Sequence, residues 1–125
     1  MGSSTYWPSQ ITGEGYLSTN HLKNKFANWT KLIFAYCDGS LHQGYRKEPI
    51  NYKGVNLYFR GAAITRAHFK WLLQYHNFAN AKEVVITGLS AGGIGTYLWS
   101  NYAKSLVKNP EVVVSIPDSG VFILF

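Results

Sequence analysis

Cysteine is almost missing from this sequence: Cys37 is the only one in 125 residues. A single cysteine fixes no redox compartment, and by itself it reads as a small buried hydrophobe. Long apolar runs are missing too. No stretch reaches the roughly 18 apolar residues that a membrane-crossing helix needs, which excludes such a span. The opening segment, MGSSTYWPSQ, carries neither a charged leader nor an apolar stretch behind it, so it does not read as a signal peptide. Charged residues make up only 14% of the chain, which leaves few to cover a surface. Acidic ones are scarcest: six Asp and Glu stand against twelve Lys and Arg, for a net charge of +6. That excess raises nucleic acid, anionic membrane and acidic polysaccharide as partners. The cations do not cluster, however, and the densest spots are the pairs Lys23/Lys25 and Arg46/Lys47. With no basic helix face and no aromatic RNA-binding motif, a solvated basic surface is the better reading, and no nucleic-acid partner is expected.

What the chain does have is apolar and aromatic material: 46% hydrophobic residues, with nine Tyr, seven Phe and four Trp. That is enough for a globular core in a chain of single-domain size. The low charge also fits a piece of a larger body, in which part of this surface would be covered. Residues 1–28 read as largely irregular, with one short turn near Tyr16 and Leu17. Asn28-Trp29-Thr30 is a glycosylation sequon, usable only in the secretory path.

Further on, the pattern becomes regular. Residues 31–37 form a continuous apolar run that stops at the turn Asp38-Gly39-Ser40, as a buried strand would. Residues 41–53 read as loop, and 55–59 as a short strand. Residues 62–75 are helical in period, with Ile64, Ala67, Trp71, Leu72 and Tyr75 on one face. A second apolar strand is expected over 83–87, a tight turn over 88–93, a helix to about residue 106, and a third strand over 111–116 that ends at Pro117-Asp118-Ser119-Gly120. The order strand, helix, strand, helix, strand implies an α/β fold, a parallel sheet with helices on both faces. Function in such sheets gathers beyond the carboxyl ends of the strands. The turns at 38–40, 88–93 and 118–120 are therefore expected at one edge.

Chemistry concentrates in Gly88-Leu89-Ser90-Ala91-Gly92, which matches G-x-S-x-G. The motif is short, but a strand leads straight into it and a helix leads straight out, as a nucleophile elbow requires. Gly88 and Gly92 lack side chains, so strand and helix can approach closely around Ser90. The serine oxygen then stands clear as a nucleophile. The N–H of Ala91 points to the same spot from the helix N-terminus and can stabilise an oxyanion. A phosphate loop is excluded, because Ile94 stands where that motif needs lysine. The plain alternative is a Gly/Ser-rich turn without chemistry.

A serine nucleophile needs an acid and a base, which follow it in that order in the α/β-hydrolase arrangement. The histidines are His21, His42, His68 and His76, and all of them precede Ser90. The triad therefore cannot be completed from this chain in the usual order. Asp118, at the end of the next strand, occupies a geometrically possible place for the acid, although a turn-forming Asp is the simpler reading.

Taken in order, Tyr36-Cys37-Asp38-Gly39-Ser40, Phe59-Arg60-Gly61, Gly88-Leu89-Ser90-Ala91-Gly92-Gly93 and Asp118-Ser119-Gly120 resemble the pectin acetylesterases, a family that also holds the Notum-type carboxylesterases. Asn80-Ala81 ahead of the nucleophile strand fits as well, as does Gly2-Ser3-Ser4 followed by an aromatic residue. That last segment lies inside the family domain, so Met1 is expected to be an internal start. The loose myristoylation pattern at Gly2 is set aside for the same reason.

The resemblance spans nearly the whole chain and implies an incomplete α/β-hydrolase-type domain over residues 1–125. It makes Ser90 the catalytic serine and Ala91 an oxyanion donor. Asp118 becomes part of the site wall, with the catalytic Asp and His lying further downstream. The family's Gly-Gly-Trp oxyanion segment lies upstream of Gly2-Ser3-Ser4. Many members carry Cys where this chain has Leu89. Members are usually secreted and disulfide-bonded, which would leave Cys37 without its partner here. The implied activity is cleavage of carboxylic esters on an acylated polysaccharide or acylated protein, through an acyl-enzyme and without metal or organic cofactor. The alternative is a catalytically incomplete hydrolase fragment that acts as a binding domain.

Overall fold

The computed structural model describes residues 6–121. The chain divides between Ala35 and Tyr36 into two compact units.

The first unit is largely irregular among the described residues, with a 3-10 turn at Gly15–Leu17, where a turn is expected. Its organising residue is Asn24, which is buried. The Asn24 Nδ2 donates to the carbonyls of Tyr16 at 3.0 Å and Ser18 at 2.6 Å, and its Oδ1 accepts the Phe26 N–H at 3.0 Å. Both ends of the buried amide are thereby satisfied. Phe26 and Trp29 pack edge to face with centroids 4.9 Å apart. The strand expected over residues 31–37 is not present: these residues are coil. An apolar run is a strand only when a neighbour completes its ladder, and the parallel pairing among the described residues is made by two other segments.

The second unit opens with a hairpin. Strands β1 (Ile50–Tyr52) and β2 (Val55–Leu57) pair antiparallel, with Ile50 opposite Leu57 and Tyr52 opposite Val55. Between them Lys53 has φ 49° and Gly54 φ 80°, the two positive dihedrals of a hairpin turn whose twist matches the strands. Asn51 Nδ2 donates to Asn56 Oδ1 across the pair at 3.0 Å. β1 therefore corrects the reading of 41–53 as loop, and its signal was the Lys53-Gly54 step.

Helix α1 spans Gly61–Tyr75. Its buried residues are Gly61, Ala62, Thr65 and Phe69, not the stripe expected from Ile64 to Tyr75. Trp71 and Tyr75 are 43% and 63% exposed, so the helix is rotated relative to its largest side chains. Phe69 is 4% exposed, and its centroid lies 5.5 Å from that of Tyr102 and 6.3 Å from that of Trp99. Burying a ring of this size contributes about 2–3 kcal/mol. The helix stops at Asn77, which takes a left-handed conformation, and a 3-10 turn at Phe78–Asn80 follows.

Strands β3 (Glu83–Leu89) and β4 (Val112–Asp118) pair in parallel, from Glu83 beside Val112 to Leu89 beside Asp118. Helix α2 (Ala91–Ser105) connects them and packs on both. Alternation sorts the side chains into two faces. Ser115 faces α2, where its hydroxyl donates to Ser100 Oγ at 2.6 Å. Val112, Val114 and Ile116 lie on the other face and are 40–46% exposed. The sheet is thus mixed α/β as expected, but it has two strands, and helices on both faces are not found among the described residues. Among the described residues, with one parallel strand pair and one crossover, α2 is the layer that covers this sheet.

Candidate active site

Ser90 is the only residue between the end of β3 and the start of α2. A reversal that short forces an unusual backbone, and Ser90 has φ 55° and ψ −112°, outside the regions open to ordinary residues. Its two backbone groups hold it there. The N–H donates to the Asp118 carbonyl at 2.9 Å, and the carbonyl accepts the Ile94 N–H at 3.2 Å. The residue is exposed, so solvent reaches the serine that this geometry presents. In an α-helix the first N–H groups have no partner within the helix. That of Ala91, the first residue of α2, is therefore available to a developing negative charge beside Ser90.

The surrounding glycines have different roles. A Cβ on Gly88 would sit 2.4 Å from the carbonyl carbon of Gly92, so the strand-to-helix approach requires glycine at 88. A Cβ on Gly92 would meet nothing within 4 Å; its backbone makes the approach, and its missing side chain does not. Gly93, which the sequence reading did not single out, carries the second close contact. A Cβ there would lie 2.7 Å from Gly120 Cα and 2.9 Å from the Asp118 carbonyl oxygen. The 118–120 turn is thus pressed onto the first turn of α2. Doubled small residues at both places, Gly92-Gly93 and Ser119-Gly120, were the available signal.

Asp118 enters the elbow through its carbonyl. Its side chain is exposed, and Oδ1 accepts the Ser119 hydroxyl at 3.0 Å. Ser119 itself has φ 50°. Two strained non-glycine residues therefore stand at the adjacent ends of β3 and β4, where such strain tends to accompany function.

The third turn, 38–40, is tied to the start of α1. Asp38 Oδ2 accepts the Arg60 N–H at 2.6 Å, and its carboxylate also accepts from the N–H and hydroxyl of Ser40. Asp38 thus caps α1, which has no side-chain cap of its own. Burial pushes this carboxyl up, but hydrogen bonds from Ser40, Arg60 and Gly61 outweigh it and leave the group below its ordinary value of 3.8. With no strand over 31–37, strand polarity does not carry Asp38 to the Ser90 edge, and its carboxylate bonds Ser40 of its own turn and the start of α1.

Three histidines belong to this unit, and one of them, His42, lies against α2 at Gly95. His42 stacks on Tyr36, His68 bonds the Ile64 backbone, and His76 packs on Trp71. Burial lowers the pKa of both His42 and His68. Among the described residues no helix is long and apolar enough to cross a membrane.

A serine on a strained strand-to-helix turn, with a helix N-terminus beside it, is the kind of site that serine hydrolases present. The chain belongs to the pectinacetylesterase family, whose model matches residues 1–125. It is 33% identical over 124 residues to pectin acetylesterase 5 of Arabidopsis thaliana, covering 98% of this chain and 29% of that protein. It is 32% identical over 126 residues to the palmitoleoyl-protein carboxylesterase NOTUM of Schmidtea mediterranea, covering 97% and 23%. Pectin acetylesterase 4 of Arabidopsis thaliana is 30% identical over 121 residues, covering 96% and 29%. The chain thus spans less than a third of the length of these relatives. No solved structure matches it significantly.

Proposed function

We propose that this chain carries the nucleophile segment of a carboxylic ester hydrolase of the α/β-hydrolase type, with Ser90 as nucleophile and the Ala91 N–H as an oxyanion donor. The observation behind this reading is the backbone of Ser90, φ 55° and ψ −112°, set between a parallel strand and a helix. The Ser90 oxygen attacks the ester carbonyl carbon, and its proton passes to a base. The carbonyl oxygen becomes negative in the tetrahedral intermediate, facing the N-terminus of α2, where one donor removed costs about 10²–10³ in rate. The intermediate collapses by expelling the alcohol and leaves an acyl group on Ser90, which water then removes. Gly88, pressed on the Gly92 backbone, lets strand and helix meet around the serine, and Asp118 forms part of the wall beside it.

The relatives' names mention pectin acetyl esters and a palmitoleoylated protein. For this chain we take the substrate class to be O-acetyl or O-acyl esters on polysaccharide or protein, met in the secretory pathway. No histidine follows Ser90, which favours a second reading for the 125 residues by themselves, a hydrolase segment that binds without turnover. Hydrolysis of p-nitrophenyl acetate separates the two. The expected result is a weak rate for the chain, a far higher rate when the family's upstream and downstream segments are supplied, and loss of that rate in Ser90→Ala. An unchanged rate in Ser90→Ala would remove the assignment.

A further inference from the structure

The residue that ties the second unit together lies outside the elbow. His42 is 9% exposed, and it grips both helices. Its carbonyl accepts the Trp99 Nε1–H of α2 at 2.9 Å and the Thr65 hydroxyl of α1 at 3.3 Å. Its imidazole lies on the backbone of α2 at Gly95, where an added Cβ would come within 3.0 Å of the ring. The ring also stacks on Tyr36, with centroids 4.8 Å apart. The Tyr36 hydroxyl in turn accepts the Leu41 N–H at 3.2 Å. Leu41 and His42 are successive non-glycine residues with φ 56° and 60°. Such a pair persists only while its surroundings hold it in place.

We propose that His42 is a pH-sensitive positioning residue: neutral, it clamps the 36–44 loop onto α1 and α2, and protonated, it releases that clamp and loosens the helix that follows Ser90. The groups that face it decide the direction. Burial opposes a charge on the ring; Asp38, on the same loop, favours one, and His68 on α1 disfavours it. From α2 the ring meets Gly95, and the carbonyl meets Trp99, over whose ring the Arg66 guanidinium of α1 lies at 5.4 Å. Tyr36 completes the set. The balance holds His42 below its ordinary value of 6.5. The unfolded chain therefore takes up the proton first as pH falls. The clamp is at full strength above 6.5 and weakens from there down through the lowered value of the folded state.

This inference concerns the clamp and not the ester chemistry, so it stands apart from the role proposed for Ser90. It is tested on the 125-residue chain by NMR between about pH 7.5 and about pH 5, a range that spans the ordinary His titration. The His42 ring protons and the Trp99 indole N–H are followed together. His42 is expected to titrate below 6.5. At the acid end the indole proton of the wild type should exchange about tenfold or more faster than in His42→Phe, which keeps an aromatic ring there but cannot take a proton. His68→Gln, which removes a facing imidazole, should raise the His42 midpoint. A His42 midpoint at or above 6.5 would overturn the proposal. So would a Trp99 indole that stays protected while His42 protonates, or an unchanged midpoint in His68→Gln. Should His42→Phe fail to fold, the wild-type titration and His68→Gln decide alone.

Discussion

The Ser90 N–H donates to the Asp118 carbonyl at 2.9 Å, and this one bond joins the ends of the two parallel strands at the point where the chain leaves both. Ser90 and Ser119 flank it with positive φ, and Gly93 packs on Gly120 beside it. The strained serine is therefore held by its neighbour strand as well as by its own helix. A change that pushes the 118–120 turn away from α2 is expected to disturb Ser90 without touching it.

Glycines 88 and 92 should respond in opposite directions. In Gly88→Ala the new methyl would fall 2.4 Å from the Gly92 backbone, and overpacking of this kind costs about 1–3 kcal/mol. In Gly92→Ala the methyl enters open space inside a helix, where alanine is favoured over glycine by about 1 kcal/mol. Urea denaturation of the two variants checks this, with loss expected for the first and a neutral or stabilising change for the second. Equal losses would mean that the two positions are not distinguished by packing.

Asp38 should matter as a cap contributed from a distant part of the sequence. Asp38→Ala removes the acceptor of the Arg60 N–H and is expected to cost about 1–2 kcal/mol. The carboxyl lies below 3.8 in the folded chain, so its contribution is complete above that value and disappears as pH falls through the lowered one. Stability measured against pH should show that acid-side loss in the wild type and less of it in Asp38→Ala.

Phe69 and Trp71 reverse the order their sizes suggest. Phe69→Ala empties a site that is 4% exposed and should cost about 3–5 kcal/mol. Trp71 is 43% exposed, and its truncation should cost about 1 kcal/mol or less. Thermal unfolding of both variants measures the difference; a larger loss at Trp71 would restore the helix face expected from sequence.

These particulars show what the sequence could reveal. The elbow was legible because Gly88, Ser90 and Gly92 stand between a β-branched run and a helical period, all local signals. The strand over 31–37 was misread because the same apolar run requires a partner that local composition does not supply. The buried face of α1 was misjudged because Trp71 and Tyr75 dominate its pattern, while Thr65 and Phe69 meet loop and helix residues far away in sequence. Asp38 as the α1 cap was illegible for that reason too, since the carboxylate and the N–H it accepts are brought together only by folding.

The most direct measurement of the Ser90 assignment is covalent trapping. A protein that carries this sequence with the family's remaining segments is treated with an organophosphorus ester, digested with trypsin, and mapped by mass spectrometry. The expected result is one label on the peptide of residues 83–104, at Ser90, with esterase activity lost in proportion. Full inactivation with the label on a different residue, or unchanged labelling of Ser90→Ala, would contradict the assignment.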